Sequence, residues 1–420
     1  MIPGSPMTAA IRFRDGWVPA VRSPRRIDGA TLTRASWVLL LVAITVLQRF
    51  GLNFGSYSLN AGLPAIYLLL VTGAMSGVLA VSPVRLALFA LCACLALLST
   101  LANDSSASGS SLLLLIVMYL PFIFVLTPDS GLDSASVTRV FSNLVFACAL
   151  AGVAQFYAQY FVRAGWLFDF TPFVPAAVRG PQGFNTVIPI GSLYKSNGFF
   201  FREPSGFSFM MALGLMTECL SHRRPLRIAA FLLALLLSYS GTGLLALGIG
   251  ILLPPNRKTL VRAALALGAA AALLWVFGDA LNLSFTLNRA TEFDSERSSG
   301  YIRYIAPLHL LMDAARADPA SLWLGHGPGT ITRTQTGYEF HDPTWAKLIF
   351  EYGVLGFAAF VALFASTLRV RQVEARIRVI LFAAWLIMGG HLLSPEQNFL
   401  TLTLVGLVPD KTHPPCERPT

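Results

Sequence analysis

The sequence predicts an all-α, polytopic integral membrane protein of about twelve transmembrane helices with a long loop on the outer side. Three observations carry this. The 420-residue chain is 55% hydrophobic and 12% charged, against roughly 45–50% and 25% in soluble proteins, so lipid must solvate most of it. Runs such as 37–46, 112–126 and 263–277 hold no charged residue, and only a helix can hide their backbone polar groups from hydrocarbon. Lys and Arg gather in short segments between such runs, the mark of cytoplasmic loops. The net charge of +10 is therefore read as topology, and no nucleic-acid partner is expected.

Taken in order, residues 1–34 form a basic cytoplasmic segment carrying Arg12, Arg14, Arg22, Arg25, Arg26 and Arg34. No cleavable apolar core precedes the first run, which is expected to act as an uncleaved anchor. A single transmembrane domain is expected over 35–408, with spans near 35–50, 62–81, 84–101, 110–127, 138–162 and 204–221. With the N-terminus inside, the loop 163–203 falls outside and the cluster His222, Arg223, Arg224 and Arg227 inside. The stretch 228–253 is flanked by basic residues on both sides, since Arg257, Lys258 and Arg262 follow it. One crossing would violate the charge rule, so two short spans are expected to meet at 238–243, Ser-Tyr-Ser-Gly-Thr-Gly, as a candidate cavity wall. A span near 259–280 leads to an outer segment over 281–343. Spans near 344–367, 379–394 and 397–408 complete the twelve, and 409–420 form a cytoplasmic tail. The five cysteines suggest neither a disulfide framework nor a metal motif.

Unusual residues concentrate in the two outer loops. Residues 196–206 read Ser-Asn-Gly-Phe-Phe-Phe-Arg-Glu-Pro-Ser-Gly, with Pro204 and Ser205 suited to a helix start. Arg202 and Glu203 there fit either an interfacial Arg beside a helix-end carboxylate or an anion-binding pair. Residues 298–303 read Ser-Ser-Gly-Tyr-Ile-Arg and lead into an apolar-faced helix with Ile305, Leu308 and Met312. Gly325, His326, Gly327 and Gly329 follow it; such a loop can present backbone amides to an oxyanion or simply turn the chain. His341 precedes a span, where an imidazole can take a proton near neutral pH or serve as a hydrogen-bonded surface residue.

The assembly of these pieces resembles the O-antigen polymerase and O-antigen ligase superfamily. Over about residues 196–366 the order matches: Arg-Glu-Pro-Ser entering a span, a hairpin tip rich in Ser, Thr and Gly, then Ser-Ser-Gly-x-x-Arg, an amphipathic helix and Gly-x-Gly. A final His precedes Glu-x-Gly-x-x-Gly at 351–356. The resemblance implies a twelve-helix fold around an outward-facing cavity, covered by a long periplasmic loop, in the bacterial inner (cytoplasmic) membrane. It implies His341 as catalytic, Arg303 as facing the donor diphosphate, and Arg202 as a second anion-binding arginine supported by Glu203. Gly325, His326 and Gly327 are expected to bind substrate. Two departures stand out: Ser240-Gly241-Thr242 where many members, ligases especially, carry an Arg, and Asp342 where Asn is common.

The function so implied is polymerisation of undecaprenyl-diphosphate-linked repeat units by metal-independent glycosyl transfer, with no cofactor. A lipid-linked glycan fixes its leaving group at headgroup level, which suits a site built from outer loops. The expected partners are that glycan, the lipid bilayer, a chain-length regulator and a flippase. Two rivals remain: a ligase moving glycan to a lipid A core or to protein, and a flippase. Transporters place ionisable residues near the bilayer midplane, whereas these spans are almost free of charge.

Overall fold

The computed structural model describes residues 29–54, 57–162, 165–180, 184–252 and 298–409. The N-terminal segment up to residue 28, the span expected near 259–280, the start of the 281–343 loop and the tail from 410 lie outside the described residues.

The described chain is mostly helical. Its principal helices are α1 (Gly29–Thr45), α2 (Gly62–Met75), α3 (Pro83–Ala102), α4 (Gly109–Tyr119), α5 (Ser134–Ala158), α6 (Pro204–Thr217), α7 (Pro225–Leu237) and α8 (Gly241–Leu252). After the undescribed stretch come α9 (Ser299–Tyr304), α10 (Ala306–Ala317), α11 (Ser321–Leu324), α12 (Thr344–Thr367), α13 (Ala375–Ile387) and α14 (Pro395–Thr401). Among the described residues α3, α5 and α12 are long and apolar enough to cross a membrane. Helix starts follow local chemistry. Pro occupies the first turn of α3, α6, α7 and α14, where the missing N–H has no intrahelical role. Ser108 and Asp133 accept the backbone N–H of Ser111 and Ser136 and so cap α4 and α5.

Each expected span within the described residues coincides with a helix, yet several helices are shorter than the apolar run. α2 stops at Met75, just before Gly77 at φ +68°, and α4 gives way to a tight turn containing Pro121. The freed backbone of both runs pairs instead as β3 (Leu79–Val81) with β4 (Phe124–Leu126), antiparallel. Two further hairpins, β1 (Gly51–Phe54) with β2 (Tyr57–Asn60) and β5 (Pro189–Ile190) with β6 (Leu193–Tyr194), lie between helices. The all-α expectation is thus modified by three small antiparallel pairs, which satisfy backbone groups that no helix reaches.

The stretch 228–253 does break in two, as α7 and α8, with Tyr239 at φ +46° between them. α8 packs on α6 closely enough that the Gly243 amide donates to Ser208 Oγ at 3.1 Å. At the base of α6, a π-helical turn (Glu218–His222) presents Glu218, which takes a bidentate Arg224 at 2.5 and 2.8 Å and the Ser142 hydroxyl at 2.7 Å. One large core runs through α1 to α8 and α12 to α14 and holds Trp37, Tyr119, Phe207, Phe231 and Trp385. The outward face of α3 is the reverse of a soluble helix, exposing Leu86, Leu91, Leu97, Leu98 and Leu101; such a face belongs in hydrocarbon.

Candidate active site

The described part of the 163–203 loop is folded against α5. Gln155 donates to the Leu167 carbonyl at 2.7 Å and to Asn197 Oδ1 at 2.8 Å, and accepts from Ser196 at 3.0 Å. Buried Arg49 sits 4.9 Å from the Phe184 ring and 5.6 Å from Phe170, donates to Asn185 Oδ1 at 2.7 Å and also donates to the Phe199 carbonyl. Gly198 and Phe199 take positive φ, near +65°, and the chain then enters α6 through extended Glu203, whose carboxylate accepts the Ser205 hydroxyl. The local fold thereby delivers Arg202 and Glu203 to the rim of a cavity of about 490 Å³.

Two other segments reach the same cavity. Arg303 lies near the end of α9, whose first turn is capped by Ser298 accepting from the Tyr301 N–H. The His341 N–H donates to the Ile302 carbonyl at 3.0 Å, so His341 is held beside Arg303. Arg202, Glu203, Arg303 and His341 all line the cavity. His341 is exposed to it, but its imidazole lies below its ordinary value of 6.5, chiefly through desolvation and then through Arg303, with Asp342, Glu203 and Glu339 opposing. A neutral ring at neutral pH is ready to accept a proton.

Beneath His341 lies an ion chain. Asp342 accepts Lys347 Nζ at 2.7 Å, and Lys347 stands 3.7 Å from Glu351, both of them buried in α12. This fixes the backbone that carries His341. The Thr344 N–H donates to the Gly389 carbonyl at 3.3 Å, tying the segment to the turn after α13.

Residues 36–408 match a family model described as WcaD colanic acid polymerase. The chain belongs to that family. It is a Wzy-type family of polysaccharide biosynthesis, in agreement with the resemblance read from the loop motifs. No curated relative matches the chain.

Within this family member the structure separates the expected site residues into two groups. Arg202, Glu203, Arg303 and His341 converge, whereas Gly325, His326 and Gly327 are outside the cavity lining. The amides of the glycine loop are spent on the protein itself: Gly325 donates to Ser321, His326 to Phe350 and Gly327 to Glu351. Gly353 breaks α12 at φ +69°, and a Cβ there would sit 2.2 Å from the Trp323 carbonyl. A Cβ on Gly325, at φ +76°, would sit 2.3 Å from the Glu351 carbonyl carbon. The two glycines let loop and kinked helix touch backbone to backbone.

The cavity also holds residues that the motifs did not single out: Asn60, His391, Ser394, Glu396 and Gln397. The signal was present in the polar run 394–398, Ser-Pro-Glu-Gln-Asn, which interrupts two apolar stretches; polar groups at such a position are functional by default. Thr242, in the first turn of α8, lines the cavity too, in keeping with the hairpin's expected place in the wall.

Proposed function

We propose that this chain is a polymerase of undecaprenyl-diphosphate-linked repeat units, acting at the periplasmic face of the inner membrane as a multi-pass protein. The observation that carries the reading is the convergence of Arg202, Arg303 and His341, from three distant segments, on one cavity. Two guanidinium groups suit a diphosphate, because each presents a planar fork to phosphate oxygens. An adjacent neutral imidazole suits a hydroxyl nucleophile.

In the proposed step, the acceptor sugar hydroxyl attacks the anomeric carbon of the donor glycan. The new C–O bond forms as the bond from that carbon to the diphosphate oxygen breaks. His341 takes the hydroxyl proton, and undecaprenyl diphosphate leaves with the electron pair. Arg202 and Arg303 stabilise the charge growing on the leaving oxygen, an effect that depends on donors fixed beforehand. The ion chain Asp342–Lys347–Glu351 keeps His341 in register. Guanidinium charge here serves the purpose that a divalent cation serves elsewhere, and the transfer is proposed to be metal-independent.

The test is a deletion strain whose surface glycan is resolved by gel and which is complemented with wild type or His341→Ala. Collapse of the ladder to a single repeat, restored by wild type alone, supports a polymerase. Undecaprenyl-linked polymer that never reaches its acceptor would mean a ligase, and loss of all periplasmic glycan a flippase.

A further inference from the structure

Beside the cationic groups, the cavity carries a set of polar groups of different chemistry at the start of α14. Glu396 is held from both sides: Asn60 Nδ2 donates to its Oε1 at 2.6 Å and Ser394 Oγ to its Oε2 at 2.7 Å. Asn60 is itself locked, donating to the Gln48 carbonyl at 2.9 Å and accepting the Gly62 N–H at 2.8 Å. The carboxyl group therefore cannot rotate freely, and with its own backbone N–H also donating to it one acceptor position is left. The next residue, Gln397, lines the same cavity and is only 5% exposed, yet its Nε2 has no hydrogen-bond partner among the described residues. A buried amide donor left unpaired weakens a fold unless something arrives to accept its hydrogen.

We propose that Glu396 and Gln397 form the subsite for the acceptor sugar, reading its hydroxyls, with Asn60 and Ser394 as positioning residues. This rests on the polymerase reading above. A sugar ring offers hydroxyls that both donate and accept, which matches a fixed carboxyl acceptor next to an unspent amide donor. A diphosphate offers acceptors only, so the Glu396 carboxyl group is the wrong partner for it. The donor's diphosphate belongs with Arg202 and Arg303, and the acceptor's hydroxyls belong with Glu396 and Gln397. His341 lines the same cavity and can serve the hydroxyl that reacts.

The test uses the full-length chain in lipid nanodiscs and two separate probes by titration calorimetry: a soluble repeat-unit glycoside that has no diphosphate, and a sugar-free polyprenyl diphosphate. Gln397→Leu and Glu396→Gln are each expected to weaken glycoside binding roughly tenfold, the loss of one hydrogen bond to a buried polar group. Polyprenyl diphosphate should bind both variants as it binds wild type, and Arg303→Ala should show the converse pattern. Gln397→Leu should unfold at the same temperature as wild type or higher, since it removes an unpaired amide. The proposal is overturned if Gln397→Leu binds the glycoside normally, if wild type does not bind it, or if both probes weaken together. Polymer formation from the lipid-linked repeat is followed in the same nanodiscs. Glycoside binding that needs Gln397 in a protein that makes no polymer refutes the polymerase reading and leaves the subsite; polymerisation with binding independent of Gln397 refutes the subsite alone.

Discussion

The cavity cluster and the glycine loop look alike as motifs, because each sets glycines or cations beside a histidine in a loop between helices. Their backbone accounting is opposite. Arg202, Arg303 and His341 send side chains to a shared open space, while in the glycine loop the Gly325 amide goes to the Ser321 carbonyl, those of His326 and Gly327 to the carbonyls of Phe350 and Glu351, and that of Gly329 to the Glu351 carboxyl group. A glycine-rich loop cradles a bound anion only with donors left over, and here Ser321 and the α12 residues Phe350 and Glu351 have claimed them. Spacing reports which residues can make a nest, and tertiary contacts decide whether the nest is empty.

The largest effect that sharpens this contrast is expected at His341. Polymer formation in His341→Ala should fall at least about a hundredfold, the low end for losing a general base, with the protein still inserted at normal amount. Glycan ladders quantified against membrane protein measure this, and a loss confined to protein amount would return His341 to a structural role. Next comes Arg303, where Ala should cost about 10² in rate, as for removal of one preorganised charge-stabilising donor. Arg303→Lys keeps the charge without the fork and should recover little of it. Full activity in Arg303→Ala removes that residue from the site.

Much of the fold was legible because apolar runs and flanking basic residues are local signals. The break between α7 and α8 was readable from charge on both sides of 228–253, and the start of α6 from Pro204. The shortening of α2 and α4 was not, since the β3–β4 pair joins residues about 45 positions apart and has no signature in either segment. The site divided the same way. Arg202, Arg303 and His341 sat in recognisable motifs, whereas Asn60 joins Glu396 across 336 residues of sequence separation, a contact that no local pattern encodes.

A third prediction approaches the contrast from the loop side. Gly325→Ala and Gly353→Ala each force a Cβ against backbone at positive φ, so protein stability should drop by about 1–3 kcal/mol each. Activity per folded molecule should stay near wild type. His326→Ala should cost little activity, because its ring serves the fold, stacking on Phe350 at 4.6 Å with Nδ1 3.2 Å from the Phe350 carbonyl oxygen. Thermal unfolding and specific activity measured together decide; stable variants with lost turnover would put the loop back in the reaction.

The smallest effect is a pair of opposed pH shifts. Desolvation holds the His341 imidazole below 6.5, Arg303 pushes it the same way, and Glu203 pushes it back. A histidine depressed in the folded state contributes stability that is present above 6.5 and lost as pH falls through its folded value. Base catalysis follows the same sign, being full while the ring is neutral and failing on acidification below 6.5. Removing the cation with Arg303→Gln should move the acid limb of kcat/KM up in pH, toward the ordinary imidazole value. Removing the carboxylate with Glu203→Gln should move it down. The shifts are expected to be a fraction of a pH unit, and their opposite directions are the diagnostic feature, since a general loss of structure would not split them. Residual turnover of each variant, profiled against pH in lipid nanodiscs, measures both limbs. If the limbs move together, or neither moves, the titrating base is a group other than His341, and His391 in the same cavity becomes the first to substitute.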